Sequence, residues 1–126
     1  LTLSGDISHT GTGTLRLQGS ADMVLSGILS GNMGILKIGG NTVTLANTAN
    51  TFTGATSIGF GTIIAAHLAD GGVASSLGAT AASTAIVLSH GHLVYSGGTT
   101  STNRIFSITD PIDNSITTSA AGTLTL

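Results

Sequence analysis

The stretch "GNTVTLANTANTFTGATSIGFGTI", Gly40 to Ile63, contains no Lys, Arg, Asp, Glu, Cys or His. It alternates apolar residues with Thr, Ser, Asn and Gly, the period of a pleated strand in which side chains i, i+2 and i+4 share one face. Each alternating run ends in Gly or Asn, the residues that turn a chain sharply. A segment so poor in reactive groups points to architecture, and the architecture it fits is a stack of short strands.

Working outward, a phrase returns along the whole chain: "GTLRL" at Gly13 to Leu17, "GILKI" at Gly34 to Ile38, "GTIIA" at Gly61 to Ala65, "GHLVY" at Gly91 to Tyr95 and "GTLTL" at Gly122 to Leu126. The opening "LTL", Leu1 to Leu3, reads as the tail of another copy. Repeats of this length are the size of one solenoid coil, some of them carrying loops. Aligned on the glycines, the phrase predicts that Leu15, Leu17, Leu36, Ile38, Leu93, Tyr95, Leu124 and Leu126 face inward and stack as an apolar ladder. The expected fold is therefore all-β: a parallel β-helix of about five coils filling 1–126 as one segment, with 65–83 ("AAHLADGGVASSLGATAAS") as a loop excursion. A hairpin sandwich is the competitor. It requires two-residue turns, for which only Asp70-Gly71 and Gly39-Gly40 qualify, and a core richer in aromatics than the 3 % present.

Composition restricts function. Charged residues make up 6 % of the chain and the net charge is −2, far from the roughly 25 % charged residues of an ordinary domain. Arg16, Lys37 and Arg104 supply no basic field for nucleic acid or for an anionic membrane surface. There is no Cys, and the longest apolar run, "TIIAAHLA", is too short to cross a bilayer as a helix. The chain opens and closes in mid-pattern without polar caps. It is expected to be part of a longer solenoid, its end coils stacking on further coils or on other copies.

The residues carry a family resemblance. "GILKIGGNTVTLANTANTFTGATSIGFGTI" resembles the passenger-associated transport repeat of bacterial autotransporters, with Asn50, Thr51, Thr53, Gly54 and several turn glycines in place and Phe52 where Tyr is usual. "LADGGVASSLGATAASTAIVLSHGHLVYSGGTTSTNRIFSI" is similar to the stretch that often follows that repeat. The resemblance marks 34–64 as a passenger-type repeat. It implies a right-handed parallel β-helix, a β-solenoid, secreted through an outer-membrane barrel and displayed on a Gram-negative surface.

The reactive side chains are few. His90 and His92, two apart in a predicted strand, would face one side and could share a metal, but no Cys or Glu completes a ligand set; His9 and His67 stand alone. Arg104, Asp110 and Asp113 form a charge cluster of the kind a polysaccharide-processing β-helix places in a groove, and Asp110 before Pro111 reads equally as a turn former. The pairs Thr12/Thr14, Thr42/Thr44, Thr51/Thr53 and Thr123/Thr125 could order water or bind a glycan, yet their irregular spacing argues against one array. No catalytic, cofactor-binding or metal residue is assigned on this basis, and no cofactor is expected. The reading is a non-enzymatic scaffold or adhesin segment whose partner is a surface glycan or protein, with a polysaccharide-processing module and a partner-free spacer as alternatives.

Overall fold

The computed structural model describes all residues, 1–126, as strands, turns and loops without a helix. One side of the solenoid is a six-stranded sheet of β1 (Thr2–Leu3), β4 (Met23–Leu25), β7 (Thr42–Leu45), β9 (Gly61–Ala65), β11 (Gly91–Tyr95) and β14 (Ser115–Thr118). A second side is a five-stranded sheet of β3 (Thr14–Leu17), β6 (Gly34–Lys37), β8 (Thr56–Ile58), β10 (Ile86–Leu88) and β13 (Phe106–Ile108). The third side pairs β2 (Ile7–His9) with β5 (Leu29–Gly31) and β12 (Thr100–Ser101) with β15 (Leu124–Thr125). Thr51 and Thr53 continue the first of these pairs, donating to the Leu29 and Gly31 carbonyls at 2.9 and 3.0 Å. Every pairing is parallel and joins a strand to its counterpart one coil on. The chain is thus a parallel β-solenoid, with about six turns where the glycine phrase suggested five.

The interior is a set of ladders. On the first sheet, Leu3, Leu25, Leu45, Ala65 and Tyr95 are register partners, beside a row of Met23, Val43, Ile63, Leu93 and Ile116. Tyr95 is buried above small Ala65, and its hydroxyl donates to the Gly98 carbonyl at 2.7 Å, giving the one polar atom of the ring a partner. A fully buried Leu or Ile stabilises by about 1.5–3 kcal/mol, and 17 apolar residues form this continuous core.

The glycine phrase mixes two sides of the solenoid. "GTLRL" and "GILKI" lie in the five-stranded sheet, "GTIIA" and "GHLVY" in the six-stranded one, and "GTLTL" on the third side. The first two are also out of phase by one residue: Leu15 pairs with Ile35 and Leu17 with Lys37. Leu17, Leu93 and Tyr95 are buried as expected, and Leu15 and Leu124 pack partly buried against the core. Leu36 and Ile38, however, are only half-buried, and Ile35 and Lys37 point inward instead. Leu126 is exposed. A one-residue slip exchanges the faces of a strand, and "GILKI" is apolar on both sets of alternate positions except at Lys37.

The segment between β9 and β10 is compact. Leu68, Ser75, Ser76, Leu77 and Thr80 are buried, and Ala79 N donates to the Phe52 carbonyl at 2.8 Å, so the excursion occupies the third side where a strand would otherwise stack. Gly78 takes φ +72° directly over the Phe52 ring, where a Cβ would meet the ring carbons and the backbone.

Candidate functional site

The buried cations of the chain are structural. Lys37 is fully buried in a row of Leu17, Ile58 and Leu88. Its Nζ donates to the Gly39 carbonyl at 2.6 Å, Asn41 Oδ1 at 3.1 Å and the Phe60 carbonyl at 3.2 Å. Asn41 in turn donates to the Ala21 carbonyl at 2.9 Å, so one cation and one amide lace a corner across three coils. Burial pushes the Lys37 ammonium below the ordinary lysine range, opposed by nearby Asp22.

Arg104 is buried beneath the excursion and does not join Asp110 or Asp113. Its guanidinium donates to the carbonyls of Ala69, Asp70, Val73, Gly78 and Thr80 and to Ser75 Oγ, at 2.8 to 3.4 Å. Burial lowers its pKa against the opposing field of Asp70. The expected Arg104–Asp110–Asp113 cluster is therefore not formed. Asp6, Asp22 and Asp70 each accept a backbone N–H from the following coil, of Ile28, Thr42 and Asn103 respectively. With only three cations and five acids, this use of charge leaves little for a reactive centre.

Two polar features remain on the surface. The first is a corner where successive coils meet. His90 has φ 66° and stands in the turn before β11, whereas His92 lies in the strand. His90 Nε2 lies 3.5 Å from Asp110 Oδ2, and His92 Nε2 lies 3.8 Å from Asp113 Oδ1 with its Nδ1 2.9 Å from Ser115 Oγ. Asn114 ties this turn to β11: its Oδ1 accepts Gly91 N–H at 3.2 Å, and its Nδ2 donates to the carbonyls of Asp110 at 2.6 Å and Ile112 at 3.1 Å. No three His or Asp side chains converge as metal ligands. His9 accepts Gly11 N–H at 2.8 Å, and His67 is half-buried with Nδ1 unpartnered.

The second is an open furrow of about 430 Å³ running over three coils at the entry to the five-stranded sheet. Gly13, Gly34 and Gly54 form its floor, and at Gly34 and Gly54 neighbouring backbone leaves no room for a side chain: a Cβ on Gly34 would lie 2.5 Å from the Ala55 carbonyl oxygen. Thr12, Thr14, Asn32 and Ser57 border it, Leu36 supplies an apolar patch, and no charged residue lines it. Of the threonine pairs, Thr12/Thr14 lies here, while Thr42/Thr44 lies on β7. The furrow escaped sequence reasoning, although Gly13, Gly34 and Gly54 recurring one coil apart were its visible trace.

The chain is 39 % identical over 105 residues to "Adhesin BmaC autotransporter" of Brucella suis biovar 1 (strain 1330). This likeness and the parallel solenoid together support an autotransporter passenger fragment. The matched region covers 81 % of this chain and 3 % of the relative, so the passenger-type segment corresponds to a small part of a very long protein. No family model matches the chain, and no solved structure matches it. The autotransporter likeness carries secretion across the outer membrane to the bacterial cell surface. The name of that relative calls it an adhesin.

Proposed function

We propose that this passenger segment is a non-enzymatic adhesive scaffold whose furrow holds an extended, uncharged glycan. The observation that supports this is the furrow itself: hydroxyl and amide groups of Thr12, Thr14, Asn32 and Ser57 spread over three coils beside Leu36, without a carboxylate or cation. Neutral hydroxyl-rich ligands are matched by such donors and acceptors, and coils repeating at about 4.8 Å offer them at regular intervals along the furrow. Thr14→Trp, which fills the furrow from an exposed position on β3, is expected to abolish retention on immobilised neutral polysaccharide without lowering the melting temperature. Retention that survives it, or that occurs only on sulfated polysaccharide, would rule out this site.

A second contact is favoured by the strand edges. Leu3 of β1 and neighbouring Leu1 are exposed, as are Ile108 of β13 and nearby Ile112, so each edge presents unpaired backbone with apolar side chains. The proposal is that these edges stack on further coils or on another copy. Light scattering over a concentration series tests it, and a concentration-independent monomer would count against it.

A further inference from the structure

We propose that the Asp110–Pro111 peptide bond is a built-in self-cleavage site, assembled by the corner that packs against the start of β11. Three contacts converge on Asp110. Its Oδ1 accepts the Ile112 N–H at 2.8 Å, its Oδ2 faces His90 Nε2 at 3.5 Å, and its main-chain carbonyl oxygen accepts Asn114 Nδ2 at 2.6 Å. The carbonyl of the bond before the proline is thus polarised by a fixed amide, and one carboxylate oxygen is occupied while the other stays beside an imidazole. Asn114 is held in this pose from behind by Gly91 N–H on its Oδ1. His90 is held by its left-handed backbone, an uncommon conformation for a residue with a side chain.

The chemistry follows from these positions. Asp110 Oδ2 attacks its own main-chain carbonyl carbon, forming a five-membered cyclic anhydride. Negative charge moves to the carbonyl oxygen under Asn114 Nδ2, the arrangement that stabilises a tetrahedral oxyanion. As Oδ2 loses its charge it releases the imidazolium proton of His90, which passes to the departing Pro111 nitrogen while the C–N bond breaks. Proline suits this step because its nitrogen, as the leaving group of a tertiary amide, becomes a basic secondary amine on protonation. Water then opens the anhydride, restoring the Asp110 side-chain carboxylate and leaving a new C-terminal carboxylate. The sum is hydrolysis of one peptide bond by one water molecule, and His90 recovers its proton from solvent. His92, through Ser115 and Asp113, and Asn114 keep the turn seated on β11 during the reaction.

The test holds the folded chain in buffer at about pH 6 and follows intact mass with time. Fragments 1–110 and 111–126 are expected to accumulate. Asn114→Ala should slow their appearance by about 10²-fold, the effect of losing one oxyanion donor, and His90→Gln by at least about 10²-fold, the effect of losing a positioned acid. Circular dichroism checks that both variants keep the β signature, and His90→Gln decides the matter if Asn114→Ala unfolds the turn. The same incubation in concentrated urea separates built-in chemistry from the acid lability of any Asp-Pro bond. An uncleaved chain, equal rates folded and denatured, or rates indifferent to His90→Gln would each overturn the proposal.

Discussion

Lys37 and Arg104 are both buried cations that donate only to uncharged acceptors, yet they hold different kinds of structure. Lys37 closes a tight corner between β6 and β7, where two carbonyls and one amide oxygen converge on a single ammonium. Arg104 lies under an excursion and gathers five carbonyls and a hydroxyl from Ala69 to Thr80. A point charge suits the corner, because one nitrogen reaches all three acceptors. The planar fork suits the excursion, because its five N–H groups fan out to acceptors that share no line. In a solenoid, a coil of regular length satisfies its own backbone through its neighbours, and an interruption must find its partners elsewhere. The difference between the two cations measures the size of that interruption.

Of the two cations, the larger expected effect is therefore at Arg104. Arg104→Met keeps bulk but leaves buried carbonyls without donors, and should destabilise by at least about 3 kcal/mol, since charge-assisted bonds contribute about 1.5–3 kcal/mol each and orphaned acceptors add their desolvation cost. Hydrogen exchange should rise first at Gly72, Ser75 and Ala79, whose N–H groups are bonded within or beneath the excursion. Arg104→Lys should recover only part of the loss. Full recovery would erase the distinction between fork and point charge.

Lys37→Met should cost less, about 1.5–3 kcal/mol, because fewer acceptors are orphaned and the replacement packs well between Leu17 and Ile58. A pH series sharpens this. The folded-state pKa of Lys37 is depressed by burial, so between that value and the ordinary lysine value near about 10.4 the unfolded chain binds more protons than the folded one. Stability in that window rises with pH. The parent should gain on Lys37→Met in denaturant midpoint as pH climbs toward about 10.4. A difference that stays flat would mean that Lys37 is not held in the interior.

What was legible in the sequence follows the same division. Alternation and glycine punctuation identify parallel stacking, and they place Leu17, Leu93 and Tyr95 inside. They do not place Lys37, because "GILKI" offers apolar residues to either face and the rule that charge lies outside selects the wrong one. The corner acceptors that make an interior lysine tolerable, the Gly39 and Phe60 carbonyls, come from backbone geometry that no side-chain pattern encodes. Arg104 was read with Asp110 and Asp113 because they are near in sequence. In the solenoid, proximity instead runs across coils, 24 to 35 residues back, to carbonyls of the excursion. The furrow was hidden for a related reason: it is made by missing side chains at Gly13, Gly34 and Gly54.

The smallest expected effect tests the root of the comparison. Leu36 pairs with Arg16 and Ser57 on the outward row of the five-stranded sheet, whereas its neighbour Ile35 is buried. If Leu36 faced the core, Lys37 would face solvent, and both the corner and the contrast with Arg104 would disappear. Leu36→Asp should therefore cost no more than about 1 kcal/mol, the scale of a strand-surface substitution. Ile35→Asp would instead place an unpaired carboxylate among Leu15 and Thr56 and should prevent cooperative folding. Measuring both by urea denaturation removes the ambiguity of either alone. Equal losses, or a greater loss at Leu36, would reverse the phase of β6, while a wide gap with Ile35 on the costly side fixes Lys37 indoors.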